Sequence, residues 1–75
     1  MVLIQLRELL SDRFGCAAEE VELATSLDEL NLYPADREEI AVWFGELYGV
    51  GVSAEEIAAW ETIEDIVGHI EDHME

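Results

Sequence analysis

The sequence predicts an all-α protein, an irregular four-helix bundle of three long helices and one short one. Its apolar residues recur at spacings of three and four, the period of amphipathic helices. Start signals at Pro34, Ser53 and Thr62 and glycine stops at Gly15 and Gly49 divide the chain into these segments. Hydrophobic residues are 51% of the chain, too many for a disordered acidic tail.

The first helix is expected over about residues 2 to 14, where Leu3, Leu6, Leu9, Leu10 and Phe14 make one apolar face. Glu8, Ser11 and Asp12 lie away from it, and Gly15 supplies the left-handed residue just past the end. A long connection follows. Ala17 to Val21 adds a short turn, and Val21, Leu23 and Leu27 tuck inward as single anchors. Leu30 and Leu32 then approach the second helix in extended form.

Pro34, the single proline, suits the first position of that helix, because its φ is already fixed and it lacks an N–H that would be orphaned there. Asp36, Glu38 and Glu39 follow in the turns that the helix dipole makes favourable for acids. Ile40, Trp43, Phe44, Leu47 and Tyr48 form the expected buried stripe, and Gly49 and Gly51 end the helix. Ser53-Ala54-Glu55-Glu56 has capping-box spacing and opens a short helix through Ile57 to about Ala59. Thr62-Ile63-Glu64-Asp65 repeats the signal more weakly, and Ile63, Ile66, Val67, Ile70 and Met74 give the last amphipathic helix.

At 75 residues the chain is one domain, 1-75, whose core is thin because only about 60% of the unfolded surface can be buried at this size. Nineteen Asp and Glu against three Arg give a formal charge of −16. Nucleic acid is excluded as a partner, since phosphates would be repelled, and so is an anionic membrane surface. Basic protein surfaces are favoured instead. The lone Cys16 forms no internal disulfide, which fits a reducing, cytoplasmic location. No signal peptide or membrane span is expected. Cys16 itself reads as a small buried apolar residue rather than a reactive thiol.

In their order and spacing these signals resemble those of acyl and peptidyl carrier proteins, the phosphopantetheine-bearing domains of fatty-acid, polyketide and nonribosomal-peptide synthesis. The resemblance covers nearly the whole chain. It is carried by Leu6-Arg7-Glu8-Leu9-Leu10 with Phe14-Gly15-Cys16, by Glu19-Glu20-Val21, and by Trp60-Glu61-Thr62-Ile63-Glu64-Asp65-Ile66. Between them, Leu30-Asn31-Leu32-Tyr33-Pro34-Ala35-Asp36-Arg37-Glu38-Glu39-Ile40 is similar to the family's Leu-Gly-x-Asp-Ser-Leu-Asp-x-x-Glu-Leu. The family attaches 4'-phosphopantetheine to the serine of that motif. Here Pro34 stands at its position, and proline has no oxygen to take the arm. The resemblance therefore implies a carrier-like protein without its cofactor, in which Pro34 keeps the helix start. It also implies docking of the second helix on basic surfaces of acyl- or peptidyl-transfer enzymes. Asp36 and Glu39 match acidic docking positions, and Glu46 lies near them. Gly45 falls where the family often has another acid. Trp43, Phe44 and Tyr48 are expected either to fill the space that carriers keep for an acyl chain or to pack as ordinary core.

Other serines are poorer attachment sites. Thr25-Ser26-Leu27-Asp28 looks superficially similar, but Pro34 would interrupt the helix that must follow, so Ser26 reads as a loop anchor. Ser53 reads as a helix cap, and Ser11 as an exposed residue. His69 and His73, spaced i, i+4, can reach one ion, with Asp65 or Asp72 as further ligands. Two histidines without a third ligand at defined spacing fall short of a zinc motif, so no metal is expected and both read as surface residues. No nucleophile, base and oxyanion donor come together, so the chain is not expected to be an enzyme. A monomer is expected. The alternatives are an acidic mimic or inhibitor of a basic-surfaced protein, and a true carrier modified at an unexpected serine.

Overall fold

The computed structural model describes residues 2–73. Four α-helices follow one another: α1 (Val2–Phe14), α2 (Pro34–Tyr48), α3 (Ala54–Ala59) and α4 (Ile63–His73). A 3-10 turn at Ala18–Glu20 interrupts the connection from α1 to α2. No strand occurs among the described residues, where the one extended pairing is an isolated bridge between Ser26 and Thr62. Met74, expected on the last apolar face, lies outside the described residues.

The helix ends follow the sequence signals. Gly15 takes φ +69°, and the Cys16 N–H returns to the Leu10 carbonyl at 3.1 Å. Gly49 takes φ +68°, and its N–H and that of Val50 both bond to the Gly45 carbonyl. Those bonds satisfy carbonyls that a helix end would otherwise leave orphaned. This closure brings the Val50 carbonyl over Gly45, where a Cβ would lie 2.7 Å from its oxygen. An acid at position 45 would clash with that exit.

The core joins Leu6 and Leu10 of α1, Ile40 and Phe44 of α2, and Ile63, Ile66 and Ile70 of α4, all fully buried. Val21, Leu27, Leu30 and Leu32 of the long connection complete it. α1 packs on α4 and on the 3-10 turn, while α3 packs on α2. Three residues expected inside differ. Leu23 is exposed, because its carbonyl accepts the Glu64 N–H at 2.9 Å and turns the side chain outward. In α2, Trp43 and Leu47 are 44% and 56% exposed. The inward arc runs instead through Arg37, Ile40, Ala41, Phe44 and Tyr48, about 100° away per residue from the two expected positions.

Arg37 belongs on that arc because its guanidinium has three acceptors there. It donates to the carbonyls of Leu32 (2.9 Å) and Trp60 (3.1 Å) and to Asp28 Oδ1 (3.0 Å). It thereby ties the end of the connection and the exit of α3 to α2. The connection is fastened at its other end too: Arg7 Nε donates to the Val21 carbonyl at 2.7 Å. The N–H groups of Ile63 and Glu64, first-turn donors of α4 with no partner inside their helix, reach the carbonyls of Thr25 and Leu23.

Candidate functional site

The expected attachment position lies at the head of α2. Asn31 adopts the left-handed conformation, φ +57°, which asparagine tolerates far better than most residues and glycine better still. The chain then extends through Tyr33 and turns into α2 with Pro34 as its first residue. Asp36 accepts the Tyr33 N–H at 3.0 Å and fixes this turn. Tyr33, Pro34 and Ala35 are all exposed. The head of the helix is thus presented to solvent, but Pro34 and Ala35 offer only carbon at the position that the carrier resemblance assigns to the arm. These residues do not fit 4'-phosphopantetheine held through a backbone-adjacent hydroxyl.

The three serines occupy other environments. Ser26 lies in the bridge with Thr62, and its Oγ accepts the Asp28 N–H at 3.1 Å, a turn rather than the start of a helix. Ser53 caps α3: its Oγ accepts the Glu56 N–H at 3.2 Å and donates to Glu56 Oε1 at 2.9 Å. The Ser53 backbone N–H, and after it the hydroxyl, hold the Glu56 carboxyl below its usual range, with the imidazoles of His69 and His73 contributing less. Ser11 is exposed on α1.

The outer face of α2 carries acids and apolar residues together. Glu38, Glu39 and Glu46 are exposed, and Val42, Trp43 and Leu47 lie among them. Asp36 is half-buried and engaged in its turn. Glu39 accepts from Arg13 Nη1 at 2.8 Å, and the same guanidinium sits 4.7 Å above the Trp43 ring. Among the described residues, no ion pair involves Glu46. The three arginines are all engaged within the chain: Arg7 and Arg37 on carbonyls, Arg13 and Arg37 on carboxylates. The charge left to a partner is therefore almost purely acidic.

Trp43 does not enter the interior as an acyl-chain substitute would. Its ring lines an open groove of about 190 Å³ between α1 and α2, with Gln5, Glu8, Leu9, Asp12, Arg13, Phe44 and Leu47. Binding pockets for drug-sized ligands usually hold ~300–1,000 Å³. Phe44 is the ring that fills the core, and Tyr48 stacks on it at 5.7 Å. Cys16 packs partly buried against the core, where burial, and next Glu20, push its thiol pKa up and keep it protonated.

At the far end, one histidine departs from expectation. His69 is not a surface residue: its side chain is only 11% exposed and it faces Glu56. Neither Asp65 nor Asp72 joins it. Asp65 instead caps α4, accepting the N–H groups of Glu61 (2.8 Å) and Thr62 (3.0 Å). The role of Arg37 and the meeting of Glu56 with His69 were not readable from local spacing, since both join segments far apart in the chain.

The sequence pattern of the family described as "Phosphopantetheine attachment site" matches residues 4–70 of this chain. A comparison with curated proteins finds no significant match. The all-α bundle, with its fourth helix closing on the first, is the fold the carrier resemblance implied. No helix among the described residues is long and apolar enough to cross a membrane.

Proposed function

Because the chain belongs to the phosphopantetheine attachment-site family, we propose that it is a carrier-like protein that works without the arm. It docks through α2 on a basic surface of an acyl- or peptidyl-processing enzyme, as a scaffold, regulator or decoy and not as a catalyst. The observation that carries this reading is the exposed head of α2, where Pro34 holds the helix start and supplies no hydroxyl. The outer face supports it: acids flank Val42, Trp43 and Leu47, the apolar-centre and polar-rim arrangement of protein interfaces. Each exposed ion pair would contribute only ~0.2–1 kcal/mol, so recognition belongs to the face as a whole.

Intact mass after incubation with coenzyme A and a broad-specificity phosphopantetheinyl transferase tests the missing arm. The mass should stay unchanged, and a gain of one arm would overturn the reading. Docking is tested by the Glu39→Lys, Glu46→Lys double variant against carrier-processing enzymes. Asp36 is probed by Asp36→Asn, which keeps an acceptor for the turn. A second reading, an acidic mimic, is favoured by the formal charge of −16 and by the internal engagement of every arginine. It predicts that reversals on α1 weaken binding as much as reversals on α2.

A further inference from the structure

We infer that Glu56, His69 and His73 form a binding site for a divalent transition-metal ion of the zinc class, tying α3 to α4. The three residues bring one ligand atom each into a set no wider than 4.8 Å. They come from two elements, so the site is made by the fold and not by a local motif. His69 and His73 are one turn apart on α4, with rings stacked at 4.4 Å, and Glu56 reaches across from α3.

Two of the three ligands, Glu56 and His73, already have a second partner. Glu56 Oε1 accepts from the Ser53 N–H and hydroxyl, which leaves Oε2 facing His69 Nδ1 at 2.9 Å. His73 Nδ1 lies 2.9 Å from the His69 carbonyl, so it donates there and its Nε2 keeps the lone pair. Backing of this kind, a carbonyl behind an imidazole and donors behind a carboxylate, is how metal sites fix their ligands. The ligand atom of His69 is Nδ1, the one beside Glu56, and the proton then resides on its buried Nε2. Neighbouring ligands in a tetrahedral zinc site lie about 3.3 Å apart, given metal–ligand bonds near 2.0 Å. Zinc would need the 2.9 Å pair to open by a few tenths and the exposed His73 to move inward from its place within the 4.8 Å set. Two imidazoles and a carboxylate suit zinc and leave a fourth position for water. Mg²⁺ and Ca²⁺ prefer all-oxygen sets. Glu64, Asp65 and Asp72 line the adjoining open hollow and raise the local concentration of cations. α3 buries none of its own residues fully, so a metal bridge would strengthen its hold on α4 beyond the Glu56–His69 hydrogen bond. This inference does not depend on the carrier reading.

The test is titration of the whole chain with zinc chloride by calorimetry, alongside thermal unfolding with and without zinc. One ion per chain should bind and raise the melting temperature, with Mg²⁺ at the same concentration doing neither. Glu56→Gln and His73→Gln should each weaken zinc binding by roughly tenfold or more. His73 is exposed, so its replacement leaves the fold intact if Glu56→Gln does not. Equal binding of Mg²⁺ would reduce the site to acidic-surface attraction. Zinc binding lost in His73→Gln but unchanged in a folded Glu56→Gln would reduce it to a two-histidine chelate. Either result overturns the proposal, as does the absence of binding.

Discussion

Arg13 Nη1 lies 2.8 Å from Glu39 Oε1, which joins α1 to the outer face of α2. One of the acids proposed for docking is therefore already paired with a cation of the same chain, and a partner's arginine or lysine must compete for it. Both side chains are 43% exposed, so the pair itself contributes little. Arg13→Gln should cost about 0.5–1.5 kcal/mol, counting the loss of stacking on Trp43. Denaturant unfolding measures this, and a larger loss would mean that the α1–α2 contact depends on it.

Arg37 is a different case. Its side chain is 16% exposed and it serves two backbone carbonyls as well as Asp28. Arg37→Ala should destabilise by about 2–3 kcal/mol, because carbonyls shielded from water lose their donors. Arg37→Lys should restore less than half, since an ammonium cannot reach three divergent acceptors as a planar fork does. Equilibrium urea curves on both variants check the order.

Two glycines should respond with opposite signs. Gly68 lies within α4 with open space where a Cβ would project, nothing approaching within 4 Å, so Gly68→Ala should stabilise by about 0.5–1 kcal/mol. Gly45→Ala would place a methyl 2.7 Å from the Val50 carbonyl oxygen. Overpacking there costs ~1–3 kcal/mol and outweighs the gain in helix propensity. Melting temperatures of the pair decide it.

Asp65 carries a pH dependence. The Glu61 N–H holds its carboxyl below the ordinary value near 3.8, and after some opposition from burial the Thr62 N–H and hydroxyl add to this. The unfolded chain therefore binds this proton more readily than the folded one. The resulting stabilisation is present above pH ~4 and is lost as pH falls through the lowered folded value. Asp65→Asn should be less stable than the parent at neutral pH, with the difference shrinking below pH ~4. A constant difference across the titration would count against the ionised cap.

With 19 acids on 75 residues, self-repulsion should weaken the bundle at low ionic strength. Adding salt should raise the melting temperature. A flat response would mean that the carboxylates are too dispersed to repel one another appreciably.

Much of this was legible from local chemistry. Pro34, Ser53 and the glycines mark helix ends because φ and capping are properties of a few adjacent residues, and the helix limits follow them closely. What escaped the sequence depends on contacts between distant segments. Arg37 carries no local signal of its role, which rests on Trp60, 23 positions away. Trp43 and Leu47 read as core by size, yet the helix is rotated so that small Ala41 faces inward and they do not. Glu56 reads as a cap, which it is, and only folding brings its second oxygen to His69.

The bonds from Ile63 and Glu64 back to Thr25 and Leu23 mean that the C-terminal helix is begun by residues from the first third of the chain. A protease nick between Ala24 and Ser26 would thus unravel the opening turn of a segment some forty positions downstream. Amide exchange at Ile63 and Glu64 would quicken before the remainder of that helix loosened.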